Sequence, residues 1–204
     1  MAYDQASFSG AQMTKGRVEA FSDGVLAIVI TVMVLEMKVP HGEDWRALLP
    51  LWPVFLSYVL SFVNVGIYWN NHHHMFHAVK HVDGTVLWAN LHLLFWISLM
   101  PLSTGWMGEN HFAPLPVALY GIDLAMAAVA YFGLAHSLLR LHPGDTAFAK
   151  AIGNDFKGKI SIVIYLAGIA LAFVNQWIGL AFYVSVAVMW LVPDRRFARV
   201  MTEG

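Results

Sequence analysis

The stretch Arg17-Val18-Glu19-Ala20-Phe21-Ser22-Asp23-Gly24 puts a guanidinium, a hydroxyl and a carboxylate at the head of an apolar run that ends on Leu35-Glu36. A carboxylate within such a run is costly to bury and needs a partner, so Asp23 marks an element that does more than anchor. Donors lie in Trp69-Asn70-Asn71-His72-His73 and at Asn90. Guanidinium, imidazole and amide groups all hydrogen-bond carboxylates. Spacing leaves open which of Arg17, His72, His73 and Asn90 does so. Ser22, Asp23 and a histidine are also the ingredients of a nucleophilic site. No oxyanion element or activated-serine turn accompanies them, and no enzyme is expected. His73, His77 and His81 recur at a spacing that fits one helix face, and imidazoles suit zinc. With no HExxH motif, no cysteine and only Asp83 nearby, neither a metal site nor a cofactor is expected.

Elements that could position these groups follow from composition. The 204 residues are 58% hydrophobic and 12% charged, with mean hydropathy +0.59, against about half apolar and a quarter charged in soluble domains. Twelve Lys+Arg nearly balance 13 Asp+Glu, so no basic excess points to nucleic acid. Residues 47–79 and 84–108 carry no charge, residues 112–139 carry only Asp123, and residues 160–193 are uncharged but broken by Asn175-Gln176-Trp177. With residues 17–39 these make five membrane spans, or six if the last segment is a hairpin. Six spans with both termini inside leave ten Lys and Arg on the cytoplasmic side and only Lys38 and Arg46 outside, the bias expected of a membrane protein.

The reading is therefore an all-α integral membrane protein with six transmembrane helices, multi-pass in the lipid bilayer. A cytoplasmic segment 1–16 precedes a single transmembrane domain 17–193, and a basic cytoplasmic tail 194–204 follows it. The fifth helix is expected to begin near Asn154, and the longest polar connector runs from about Leu141 to Lys159. The acidic residues Asp4 and Glu19 ahead of the first apolar run, with no cleavage site after it, predict that this run is not a removable signal. Trp45, Trp52, Trp106, Trp177 and Trp190 fall near span ends, as interfacial anchors do.

Residues 17–39 on one helix are about 35 Å long. At 100° per residue, Gly24, Ile28, Thr31 and Leu35 form one stripe, and Asp23 points away from it. Such a stripe serves ordinary helix packing. Asp123 fits either a water-facing cap or an interhelical contact. A proton- or cation-coupled transporter, with Asp23, Asp123 and the histidines as a relay, is the rival function. Against it, the interrupted spans break at the outer surface and not at mid-membrane.

Arg17-x-x-x-Phe21-Ser22-Asp23-Gly24-Val25-x-Ala27-Ile28-x-Ile30-Thr31, followed by Leu35-Glu36, resembles the signature of the transmembrane protein 175 family of potassium channels. Trp69-x-x-His72-His73-x-x-Phe76 is similar to that family's second-helix motif, and Asn90-Leu91 with Pro101-Leu102 to its third. The resemblance covers the first half of the chain. It implies a potassium-permeable cation channel of the bacterial single-repeat form, assembled as a homotetramer in the bacterial inner (plasma) membrane. It further implies that the first helix lines the pore, with Ile28, Thr31 and Leu35 at an apolar constriction that selects monovalent cations by partial dehydration. Arg17, Ser22, Asp23, Trp69, His72, His73 and Asn90 would then form a structural hydrogen-bond network. Glu36 would sit at the outer mouth or simply form a solvated helix end.

Overall fold

The computed structural model describes residues 15–143 and 155–191. Of the expected terminal segments, residues 1–14 and 194–204 lie outside them, as do the start near Asn154 and most of the 141–159 connector, while Lys15 and Gly16 fall within the first helix. The described residues form six α-helices: α1 (Lys15–Leu35), α2 (Trp52–His77), α3 (Gly84–Glu109), α4 (Pro114–Leu141), α5 (Phe156–Ala172) and α6 (Gln176–Leu191). A 3-10 helix, Trp45–Leu51, leads directly into α2. The chain is an all-helical integral membrane protein: α1, α3, α4 and the continuous Trp45–His77 segment are each long and apolar enough to cross a bilayer. At 17 and 16 residues, α5 and α6 are shorter, as expected of the two arms of a hairpin.

Local chemistry sets the boundaries. Pro53 lies in the first turn of α2 and Pro114 opens α4, where a missing N–H costs nothing. Asp83 caps α3 by accepting from the Val86 N–H at 2.8 Å, and Asp155 caps α5 through Gly158 N–H at 3.2 Å. Each cap answers one orphan donor. Between α3 and α4 the backbone passes through the left-handed region at His111 and Phe112, with φ of 51° and 58°. Burial of the Phe112 ring against Trp52 and Trp177, at centroid distances of 5.8 and 5.3 Å, offsets that strain.

The α5–α6 turn is tight, and the Asn175 side chain accepts from Trp177 N–H at 2.9 Å. The two helices then run so close that a Cβ on Gly179 would lie 2.9 Å from both the Ala172 Cβ and the Gly168 carbonyl. α3 and α4 form the centre of the bundle, α5 and α6 pack on α4, and α1 lies at one side against α2 and α3.

Candidate functional site

The buried face of α1 is Val18, Ser22, Leu26, Val29 and Met33, the i+4/i+3 row a packed helix presents. Ser22 is the polar member and is fully buried. Its hydroxyl donates to the Val18 carbonyl at 2.8 Å, so its oxygen is left to accept. Asn90 of α3 fills that role, donating from Nδ2 at 2.9 Å. The other end of the amide, Oδ1, meets His72 Nε2 of α2 at 2.8 Å. Because Ser22 spends its proton on Val18, the Asn90 amide has one satisfactory orientation, and His72 must carry a proton on Nε2. His72 also stacks on Phe76 at 4.4 Å. Three helices are thus tied at one buried point, where an unpaired polar group would be costly.

Asp23 lies beside this network and outside it. Its carboxylate accepts from the indole N–H of Trp69 at 3.0 Å, and Trp69 in turn stacks on His73 at 6.1 Å. The donor is therefore an indole, where the sequence offered guanidinium, imidazole and amide. A tryptophan donates as well as packs, and Trp69 sits opposite Asp23 on the adjoining helix. His73 joins through its ring and not through a hydrogen bond to Asp23. Arg17 is exposed and makes no side-chain hydrogen bond among the described residues. Lys15 holds the cationic position instead: its ammonium donates to the Phe76 and His77 carbonyls at 3.2 and 3.3 Å. It thereby caps the negative end of α2.

The opposite face of α1 has no cover from the described residues of the chain. Gly24, Ile28, Thr31 and Leu35 are all exposed, Ile28 by 62% and Leu35 by 79%, and nothing lies within 4 Å of a Cβ placed on Gly24. Among the described residues no helix packs on this stripe, the ordinary use of such a row. The Thr31 hydroxyl donates to the Ile28 carbonyl at 2.8 Å, which leaves only acceptor lone pairs directed outward. Glu36 follows the last turn and is exposed.

Several expectations change at the C-terminal end of α2 and in the bundle core. α2 stops at His77, so His81 leaves the expected face and its ring lies 4.6 Å from His142. Trp190 is no bare anchor: its indole donates to the Ser161 hydroxyl at 2.9 Å. Asp123 is buried and accepts from Ser103 at 2.7 Å, which selects the interhelical contact over a water-facing cap. A second buried network escaped sequence reasoning altogether. Ser61 lies 2.6 Å from the Thr104 hydroxyl and donates to Tyr120 at 3.0 Å, while Asn64 donates to the same phenol at 3.3 Å. The signal was present in Ser57, Ser61 and Asn64, spaced four and three apart on one face of α2 and all buried.

The fold and this site define a helical membrane protein whose first helix is locked on one face and uncovered on the other. A family model described as endosomal/lysosomal potassium channel TMEM175 matches residues 17–101. A potassium channel of Chryseobacterium sp. (strain P1-3) is 55% identical over 192 residues, covering 94% of this chain and all of that one. The crystal structure of a lysosomal potassium-selective channel TMEM175 homolog from Chamaesiphon minutus aligns with a TM-score of 0.73 at 29% identity, over 87% of this chain and 96% of that one. The mouse endosomal/lysosomal proton channel TMEM175 is 37% identical over 117 residues, which are 50% of this chain and 23% of the mouse protein. The chain belongs to the TMEM175 family, whose members are channels and not enzymes. The structural likeness extends through the later helices, where sequence motifs alone had shown no resemblance.

Proposed function

We propose that the chain is a potassium-permeable cation channel, a homotetramer in the bacterial inner membrane with both termini cytoplasmic, in which the exposed face of α1 lines the pore. The carrying observation is the uncovered stripe Gly24, Ile28, Thr31, Leu35 on a helix whose other face is tied to α2 and α3. A closed ring of identical chains is the natural way to turn one such stripe per chain into a central path. Ile28 and Leu35 then form successive apolar collars, which select by controlling wetting and ion dehydration. Potassium gives up water more readily than sodium, and the outward lone pairs of Thr31 replace part of what is lost. No K+ cofactor role is needed; the ion is the permeant species. The Ser22–Asn90–His72 network and the Asp23–Trp69 bond hold the rotation of α1, and with it the direction of the collars.

The test is a bi-ionic reversal potential, potassium against sodium, with purified protein in liposomes and with Ile28→Ala and Leu35→Ala alongside. A reversal near the potassium potential that weakens in both variants supports the collars. A second reading, proton- or cation-coupled transport through Asp23 and His73, draws on the Asp23–Trp69–His73 chain of contacts at the edge of the exposed face. Current that follows the proton gradient and ignores both alanine variants would favour it.

A further inference from the structure

The end of α1 beyond the apolar stripe holds a charge arrangement that the collars do not use. Lys38 follows the last turn of α1, and its ammonium donates to the Glu109 carboxylate, at the end of α3, at 2.8 Å. Both side chains are solvent-exposed, at 83% and 52%, so the pair adds little to stability. The bond to Glu109, and then the charge of Glu109, hold the Lys38 ammonium above its ordinary range, so it stays charged at physiological pH. The Glu109 and Glu36 side chains also line a groove of about 580 Å³ between α1 and α3, and the same groove is lined by Val32 and Ile28. The groove therefore runs from these two carboxylates along α1 to Ile28, the collar residue farther from them. A free lysine at its head would repel an approaching cation, and in a symmetric ring that repulsion is repeated by every copy.

We propose that Glu109 is a conductance-determining residue, which neutralises Lys38 by direct ion pairing and leaves the Glu36 carboxylate to set the sign of the potential at the pore entrance. The proposal rests on the channel reading above. Per chain, Glu36, Lys38 and Glu109 sum to one negative charge. Glu109→Gln makes that sum zero, Lys38→Gln makes it two negative charges, and the double variant returns it to one. Such fields reach far at low ionic strength and are screened within a few ångströms at about 1 M salt.

The experiment is single-channel potassium conductance in planar bilayers at about 10 mM and about 1 M KCl, for the wild type, both single variants and the double. At low salt Glu109→Gln is expected to lower conductance roughly threefold, Lys38→Gln to raise it, and the double variant to recover the wild-type value. At high salt the four should converge. A conducting wild type with an unchanged Glu109→Gln variant at low salt overturns the proposal. So does a loss that the double variant fails to restore, which would make the contact steric. A wild type that passes no potassium current overturns the channel reading itself, a result that no outcome among the variants can imitate.

Discussion

Asn90 bridges Ser22 and His72, so removing its amide should act on both neighbours unequally. Asn90→Ala deletes a donor to Ser22 Oγ and an acceptor from His72 Nε2, both in positions at most 2% exposed. Ser22 keeps its own bond to the Val18 carbonyl and loses only an incoming donor, a small cost. His72 loses the partner of its Nε2 proton, and an unsatisfied buried donor costs about 1–3 kcal/mol. Interhelical hydrogen bonds in membrane proteins measure lower, about 0.6 kcal/mol on average. The expected destabilisation for Asn90→Ala is therefore about 1–2 kcal/mol, and Ser22→Ala, which leaves the buried Asn90 Nδ2 without its acceptor, should cost about 1 kcal/mol. Because Ser22 matters to Asn90 only through the shared bond, the double variant should be less destabilised than the sum of the two singles. Reversible unfolding in mixed micelles with a graded denaturing detergent measures all three. Strict additivity would show that the Ser22–Asn90 bond carries no coupling energy, and an Asn90→Ala variant as stable as the wild type would show that the three-helix tie carries none.

Three further outcomes follow from contacts elsewhere. Trp69→Phe keeps the stack on His73 but removes the indole donor to Asp23; it should lower stability by about 0.5–1.5 kcal/mol, and Asp23→Asn in the Trp69→Phe background should add little, by the same unfolding assay. Gly179→Ala places a methyl against Ala172 and the Gly168 carbonyl. Overpacking of this kind costs about 1–3 kcal/mol, so the thermal midpoint in detergent should fall well below that of Gly133→Ala, where the space is open. Asp123→Asn retains an acceptor for the Ser103 hydroxyl and should fold like the wild type, whereas Asp123→Leu puts an apolar group in its place and should lower the yield of folded protein on size-exclusion chromatography.

The helices were readable because charge-free runs of membrane length leave few alternatives. The α5–α6 hairpin was readable from Asn-Gln-Trp inside an otherwise apolar segment. The α1 stripe was readable because Gly24, Ile28, Thr31 and Leu35 follow helical spacing, and the structure leaves that stripe exposed. What spacing could not supply was the partner of each polar group. Asp23 met Trp69 and not Arg17, since which side chains meet depends on how α1 and α2 are rotated against each other. That rotation is set by Val18, Leu26, Val29 and Met33, apolar residues indistinguishable by type from those facing outward. A lipid-facing leucine and a buried one read alike in a membrane helix. Buried hydroxyls and amides are the better markers, and the Ser57–Ser61–Asn64 row on α2 marks the buried face that hydropathy conceals. His81 was misplaced for a simpler reason: no strong stop signal precedes it, yet α2 ends four residues earlier.

The most direct test asks whether water and ions reach the exposed face of α1. The chain contains no cysteine, so single cysteines can be introduced without background. Thr31→Cys and Leu35→Cys would be compared with Val163→Cys on α5, a position that is also exposed in the single chain at 59%. A charged, membrane-impermeant thiol reagent would be applied during recording of potassium current. Rapid modification and block at Thr31 and Leu35, with Val163 unreactive, is the expected result. Protection of both α1 positions with labelling at Val163 would contradict a pore lined by the first helix.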